Sequence, residues 1–313
     1  MTSLPSVRAF APASVSNVGC GFDIFGFAIE EPGDAVVVQE RDEPGVEIVE
    51  ILGGDGRLPL EAHRNSAGVA AQALLDATET QKGVQIILEK NMPLSSGLGS
   101  SAASGAAAVV AIDRLFELGA SQELLLYSAM QGERMACGSA HADNAAPCLY
   151  GGFVLIRPGD PPEVIPLRVP ETLACAVVRP HVEVETRKAR ELMGDSISLR
   201  AGVQQWGNTA ALVVAMFRGD LALLARSLED AVAEPIRAPL IPGYAATKAA
   251  ALGSGAIGAN ISGSGPSIFA LCHGRDSAEK TADAMMEALA KEGLEADRIV
   301  SEVGASGARI VET

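Results

Sequence analysis

One segment of the chain concentrates residues suited to holding a phosphate. It runs Pro93-Leu94-Ser95-Ser96-Gly97-Leu98-Gly99-Ser100-Ser101-Ala102-Ala103. An alternating apolar run, GVQIILE (83–89), precedes it, and a stretch with helical spacing follows. Gly97 and Gly99 permit positive φ and close backbone approach. The first N–H groups of a helix have no intrahelical partner and sit at the positive end of its dipole. Such a loop and helix start form an anion cradle. Ser100 and Ser101 add hydroxyls that could donate to phosphate, and one could ligate Mg²⁺. A glycine turn with a serine cap would use the same residues, so the segment alone leaves both readings open. It is not a Walker A loop, which needs Gly-Lys-Ser/Thr, nor the dinucleotide fingerprint, since the next glycine after Gly99 is Gly105.

Five further segments set polar residues in unusual company. In PASVSNVGCGFD (12–23), Asn17 and Asp23 flank a tight bend, where either alone is an ordinary turn-former. In GSAHADN (138–144), His141 and Asp143 are spaced as a metal pair could be. With four His in the chain and no clustering partner, a hydrogen-bonding His141 is the simpler reading. Glu133, on the helix before it, taken alone reads as a solvated helix residue. TRKAR (186–190) and EPIR (234–237) read as charged helix starts of the surface kind. ISGSGPS (261–267), with Gly263 inside it, is a Gly-rich turn between strands that could wall a ligand pocket.

Composition bounds the partners. The 313 residues hold 24 basic and 39 acidic side chains, a formal net of -15. That argues against nucleic acid or an anionic membrane as partner, because both call for basic stripes. A single anionic ligand stays compatible, because helix starts and a metal ion bind phosphate with few lysines. The five Cys (20, 137, 148, 175, 272) form no CxxC pair and read as reduced thiols of a cytosolic protein. The first ten residues show no basic stretch followed by an apolar one, so no signal peptide is expected. No run reaches the ~18 apolar residues of a spanning helix.

The elements that must position these residues mix strands and helices in both halves. Strands are expected at 7–12, 25–29, 34–40, 46–51 and 83–89, and helices over 66–77, 100–118 and 121–136. A strand at FVLIRP leads to the Pro-dense PGDPPE (158–163), the best linker candidate, giving domains 1–160 and 161–313. Beyond it come a strand at 173–180 and helices over 198–217, 220–230, 241–252 and 276–291. Strands are expected at AIGANIS, PSIFALCH, DRIVSEV and ARIVET. The mixture favours an α+β class.

Taken in order, ASVSNVGCGFD, PLSSGLGSSAAS, HADNAAP, TRKAR, EPIRAPLIPGY and ISGSGPS resemble the GHMP small-molecule kinases, and within them the branch acting on homoserine. The resemblance runs from about Val7 to Leu271 and departs at Leu192-Met193, where the family often has Leu-Pro. It implies an N-terminal domain resembling the second domain of ribosomal protein S5 and a ferredoxin-like C-terminal domain, with nucleotide and amino acid between them. It implies ATP and Mg²⁺, with residues 93–103 on the phosphates and Ser101 and Glu133 as metal ligands. The implied reaction is phosphorylation of the L-homoserine hydroxyl, a step toward threonine. Asp23 would meet the ammonium or the hydroxyl, Arg190 and Arg237 the carboxylate, with Arg187 competing for the place of Arg190. Asn17, His141, Asp143, Asn144 and Gly263 would complete the substrate site, and Asn17, Asp23 and Asn144 the catalytic set. Whether Asp143 or Asn144 faces the hydroxyl stays open, although the resemblance turns Asn144 inward, leaving no dedicated base. Other alcohols, such as mevalonate, and a non-catalytic binding role are the alternatives. A homodimer is the commonest assembly for such enzymes.

Overall fold

The structure is a computed structural model that describes residues 5–138 and 141–312. Ser139, ahead of HADNAAP, and the first four residues, read above for a leader, lie outside the described residues.

The first half is built on a seven-stranded sheet. β1 (Ser6–Ser16) pairs with β2 (Phe25–Arg41), β2 with β4 (Gly83–Lys90), and β4 in parallel with β3 (Gly45–Gly53). The runs expected as two strands at 25–29 and 34–40 are one strand. β1 follows both halves of β2, with a register shift between Pro12 and Ser14 that lets the long strand bend. Four helices cover the sheet: α1 (Ser66–Ala77), α2 (Ser100–Phe116), α3 (Gln122–Cys137) and α4 (Ala142–Tyr150). α2 is buried along Ala102 to Val109, and only small side chains in its first turns let it lie so close to β1 and β2. α4 was not expected, because it is short and carries Pro147.

β5 (Phe153–Arg157) joins β2, and β6 (Glu163–Leu167) pairs antiparallel with β5. The Pro-rich stretch 158–163 is therefore the turn of a hairpin inside the first sheet rather than a linker. β6 is masked in the sequence by Pro166, which an edge strand tolerates. The C-terminal β11 (Arg309–Val311) returns to β1, so the chain ends in the sheet where it began.

The second sheet is antiparallel, in the order β10 (Ala296–Glu302), β7 (Leu173–Pro180), β9 (Ile268–His273), β8 (Gly258–Ile261). With helices after the first and third strands, this is the ferredoxin-like arrangement. Strand alternation splits β7 between two cores. Leu173, Cys175 and Val177 join the large core with the first sheet, and Ala174, Ala176 and Val178 pack under α9 (Tyr244–Gly253) and α10 (Arg275–Lys291). Phe27 and Phe269 meet edge to face at 6.2 Å across the junction. Between β7 and β8 the chain also forms α5 (Thr186–Glu191), α6 (Leu199–Arg218), α7 (Leu221–Ser227) and α8 (Glu234–Arg237). α7 stops short of the expected 230 because the Asp230 carboxylate accepts from the N–H groups of Val232, Ala233 and Glu234. α9 starts at Tyr244 rather than 241, after Gly243 at φ 76°.

Cys20, Cys148, Cys175 and Cys272 are buried and free. Among the described residues, no helix is long and apolar enough to cross a membrane.

Candidate active site

A cavity of about 540 Å³ opens between the two sheets. The loop 93–99 forms its floor. Ser95, Gly97 and Gly99 take positive φ of 51°, 75° and 68°, which turns the chain into α2 with Gly99 as its N-cap. Both halves pin this loop. The Ser14 N–H donates to the Leu98 carbonyl at 3.0 Å, the Ser262 hydroxyl to Gly97 at 2.6 Å, and the Ser267 N–H to Ser96 at 3.3 Å. A Cβ on Gly99 would stand 2.2 Å from Ser14 Oγ, and one on Gly97 2.6 Å from the Ser262 carbonyl, so neither position has room for a side chain.

A buried pair that sequence reasoning passed over holds the entry to the loop. The ammonium of Lys90, at the end of β4, meets Asp34 on β2. It also donates to the Ser100 carbonyl at 2.7 Å and to Ser104 Oγ at 2.9 Å. The other Asp34 oxygen accepts from the N–H groups of Asn91 and Met92 at 3.1 and 3.0 Å. One ion pair thus fixes the strand end, the loop start and the first turn of α2. A lysine three residues before Pro93 was its sequence trace, easily read as a strand-end charge.

Ser101 Oγ donates to Glu133 Oε2 at 2.5 Å, and Glu133 is buried. A hydroxyl and a carboxylate at this spacing suit a hard divalent cation.

The opposite wall carries the polar residues of the bend at 17–23. Asn17 accepts from the Asp23 N–H at 3.0 Å and donates to the Gly263 carbonyl at 2.9 Å. That carbonyl also accepts from Arg237 at 2.8 Å. Asp23 pairs with Arg190 at 2.5 Å, and His141 Nδ1 lies 3.8 Å away from its other oxygen. Arg190 and Arg237 lie over the Phe22 ring, at 4.9 and 5.0 Å from its centroid. Such stacking supports the guanidinium planes without using their N–H donors. α6 anchors the bend from behind, as Gln205 and Thr209 donate to the Cys20 carbonyl at 2.8 and 3.1 Å.

His141 opens α4, which carries Asp143 and Asn144. Asn144 Oδ1 accepts from Ser14 at 3.2 Å, next to Gly99. Asp143 is buried, and desolvation pushes its carboxyl up to about 6. Asp23 and Glu133 push the same way, and His141 and a backbone donor at Asn17 oppose them. Burial lowers Arg237 from the usual arginine range, against Asp23, which raises it.

Six Lys and Arg side chains line the cavity against four Asp and Glu, although acids outnumber bases in the whole chain. The local excess favours an anionic ligand. Among the described residues, Ser100 Oγ, Asp143 Oδ1 and Arg237 Nε are buried without a hydrogen-bond partner. Groups left so in a native interior call for a ligand or an ion.

The chain is similar over nearly its whole length to several known proteins. Residues 65–152 match the family model for the GHMP kinases N terminal domain, and residues 212–292 that for GHMP kinases C terminal. A homoserine kinase of Chloroherpeton thalassium is 46% identical over 319 residues, covering 98% of this chain and 100% of the relative. The chain belongs to the GHMP kinase family. A second relative, a homoserine kinase of Xanthomonas campestris, is 41% identical over 98% of this chain and 95% of its own. The crystal structure of homoserine kinase from Cytophaga hutchinsonii superimposes with a TM-score of 0.95 at 46% identity, over 99% of both chains. A Leishmania major mevalonate kinase structure shares the fold alone, at 18% identity and a TM-score of 0.72. The two-part fold expected from the family resemblance is the fold observed.

The structure brings together residues that the sequence scatters over some 250 positions. Asn17, Asp23, Ser95 to Gly97, Gly99 to Ser101, Glu133, His141, Asp143, Asn144, Arg190, Arg237 and Gly263 all line one cavity, as does Leu94. Leu98, Ala102 and Ala103, named with the loop, are instead fully buried in the core and act as its footing. Arg187 and Arg190 both reach the wall, and only Arg190 pairs with Asp23. Sequence reasoning passed over Arg57, Arg64 and Lys90, each isolated in sequence, and Asn65 lines the wall as well as capping α1.

Proposed function

We propose that this protein transfers the γ-phosphoryl group of ATP to the hydroxyl of L-homoserine, giving O-phospho-L-homoserine and ADP. One observation carries this reading: the glycine cradle at the start of α2 shares a cavity with a matched set of groups for an amino-acid zwitterion.

In the free protein Asp23 and Arg190 neutralise each other. A zwitterion can take the place of each for the other, its ammonium at Asp23 and its carboxylate at Arg190 and Arg237. The unpartnered Nε of Arg237 then gains an acceptor. Mevalonate, with no ammonium, would leave Asp23 without that cation.

Phosphoryl transfer rests on positioning and charge neutralisation. The N–H groups at the start of α2 and the Ser100 hydroxyl would hold phosphate oxygens. Ser101 and Glu133 fit a Mg²⁺ ion, which when bound would neutralise phosphate charge. Asp143 is the better placed proton acceptor of the adjacent pair. Its Oδ1 is unpartnered, and its pKa of about 6 brings it nearer to the operating range than an ordinary carboxylate. Asn144 has no comparable proton affinity, and with Ser14 it steadies the cradle beside Gly99.

An ADP-release assay with ATP and Mg²⁺ tests the substrate. L-homoserine should be turned over, and 4-hydroxybutyrate, which lacks only the ammonium, should be at least ~100-fold poorer in kcat/KM. Equal turnover of the two, or of mevalonate and homoserine, would contradict the assignment of Asp23.

A further inference from the structure

Gln205 stands behind the substrate wall without lining the cavity. Among the buried residues of α6 it alone carries a polar side chain. Its amide nitrogen donates to the Cys20 carbonyl at 2.8 Å and to Asp230 Oδ1 at 3.0 Å, and its oxygen accepts from the Ala231 N–H at 2.8 Å. Two acceptors at the nitrogen and a donor at the oxygen allow only one orientation of the amide. Cys20 belongs to the bend that carries Asn17 and Asp23. Asp230 and Ala231 begin the segment that ends in Arg237. The Asp230 carboxylate continues the link, because it accepts from the N–H groups of Val232, Ala233 and Glu234, at the start of α8. Arg237 is the last residue of that helix. On the cavity side the two ends meet again, where the Gly263 carbonyl accepts from both Asn17 and Arg237.

We propose that Gln205 is a positioning residue for the amino-acid site. It holds the Asp23 end and the Arg237 end in register, so that one small zwitterion reaches both at once. This role rests on homoserine as the acceptor, with its ammonium at Asp23 and its carboxylate at Arg237. In an α-amino acid both charges hang on one carbon, so their separation is fixed and the protein must match it. A misplacement of about 1 Å forfeits on the order of 100-fold in such a site. The side chain is also hard to replace. Glu lacks the two donors, Asn is a methylene shorter, and Met would leave the Ala231 N–H without its acceptor.

The test compares the full-length parent protein with Gln205→Met, which keeps the length of the side chain and removes its hydrogen bonds. ADP release is followed with L-homoserine. Two single-ended alcohols compete with it: 3-aminopropan-1-ol carries only the ammonium, and 4-hydroxybutyrate only the carboxylate. The variant should raise the homoserine KM roughly 10- to 100-fold. The ATP KM and the inhibition constants of the two competitors should stay within about threefold, because each competitor engages one end and needs no register. A side chain that only stabilised the fold would lower the active fraction, and so the rate, and leave these constants where they were. Asp230→Asn turns a donor toward the Glu234 N–H and loosens the same link from the Arg237 side. It should act in the same direction, and it decides the question should Gln205→Met misfold. An unchanged homoserine KM in a folded variant, or equal weakening of all three alcohols, would overturn the proposal and leave homoserine as the substrate. No turnover of L-homoserine by the parent protein would instead overturn the substrate, and this role with it.

Discussion

Asp143 is an acid buried where its charge is costly, and the cost can be measured without substrate. Its carboxyl is pushed from 3.8 to about 6, chiefly by desolvation. The folded state therefore holds this proton more tightly than the unfolded state does. The stability it confers is complete below about pH 4 and is lost as pH rises through about 6. That rise in pKa corresponds to about 3 kcal/mol over the whole range. Between about pH 5 and pH 8 the same two pKa values give a change of about 1.4 kcal/mol. Asp143→Asn keeps the shape and removes the titration. The stability of the variant minus that of the parent protein should therefore rise by about 1.4 kcal/mol from pH 5 to pH 8, or about 2 °C in the difference of melting temperatures. The other ionisable groups are present in both proteins, so the difference reads the Asp143 position. Urea or thermal unfolding of both proteins at each pH reads this quantity. A difference that stays constant with pH would refute the reasoning that Asp143 is held desolvated, and with it the case for Asp143 as proton acceptor.

Three further outcomes are expected. Arg237→Ala should raise the homoserine KM about 100-fold with little change in the ATP KM, because it removes a buried guanidinium from the carboxylate end alone; equal effects on both substrates in steady-state kinetics would contradict this. Glu133→Gln should lower kcat at least ~100-fold and weaken the Mg²⁺ dependence of ATP binding, read by calorimetry with and without the metal. Asp34→Ala strands the Lys90 ammonium in the interior and leaves the N–H groups of Asn91 and Met92 without their acceptor. It should cost about 3–5 kcal/mol, visible as a lower denaturant midpoint.

Much of the site was legible because its residues sit where local chemistry is distinctive. Gly97 and Gly99 mark a backbone that no side chain could occupy, and PASVSNVGCGFD marks a bend built from polar residues. The ferredoxin-like half was implied by the resemblance, and its strands were legible as apolar runs such as LACAVVRP, whose successive residues feed two cores. What escaped depends on tertiary contacts that local pattern does not carry. Asp34 and Lys90 lie 56 residues apart, and only the pairing of β2 with β4 brings them together. The hairpin at 158–163 looked like a linker because proline density marks any turn, and only the β5–β6 pairing tells which turn it is. α4 was hidden by its proline, although it carries Asp143 and Asn144 into the cavity. The resemblance turned Asn144 inward while the sequence left the choice open, and their surroundings differ, since Asp143 is desolvated while Asn144 is bonded to Ser14.

The most direct measurement of the reaction is ³¹P nuclear magnetic resonance of the protein with ATP, Mg²⁺ and L-homoserine. A phosphomonoester resonance coupled to the side-chain methylene should grow in step with ADP. Inorganic phosphate in place of the ester, or no loss of ATP, would contradict a cavity that sets the hydroxyl of an amino acid against a cradled triphosphate.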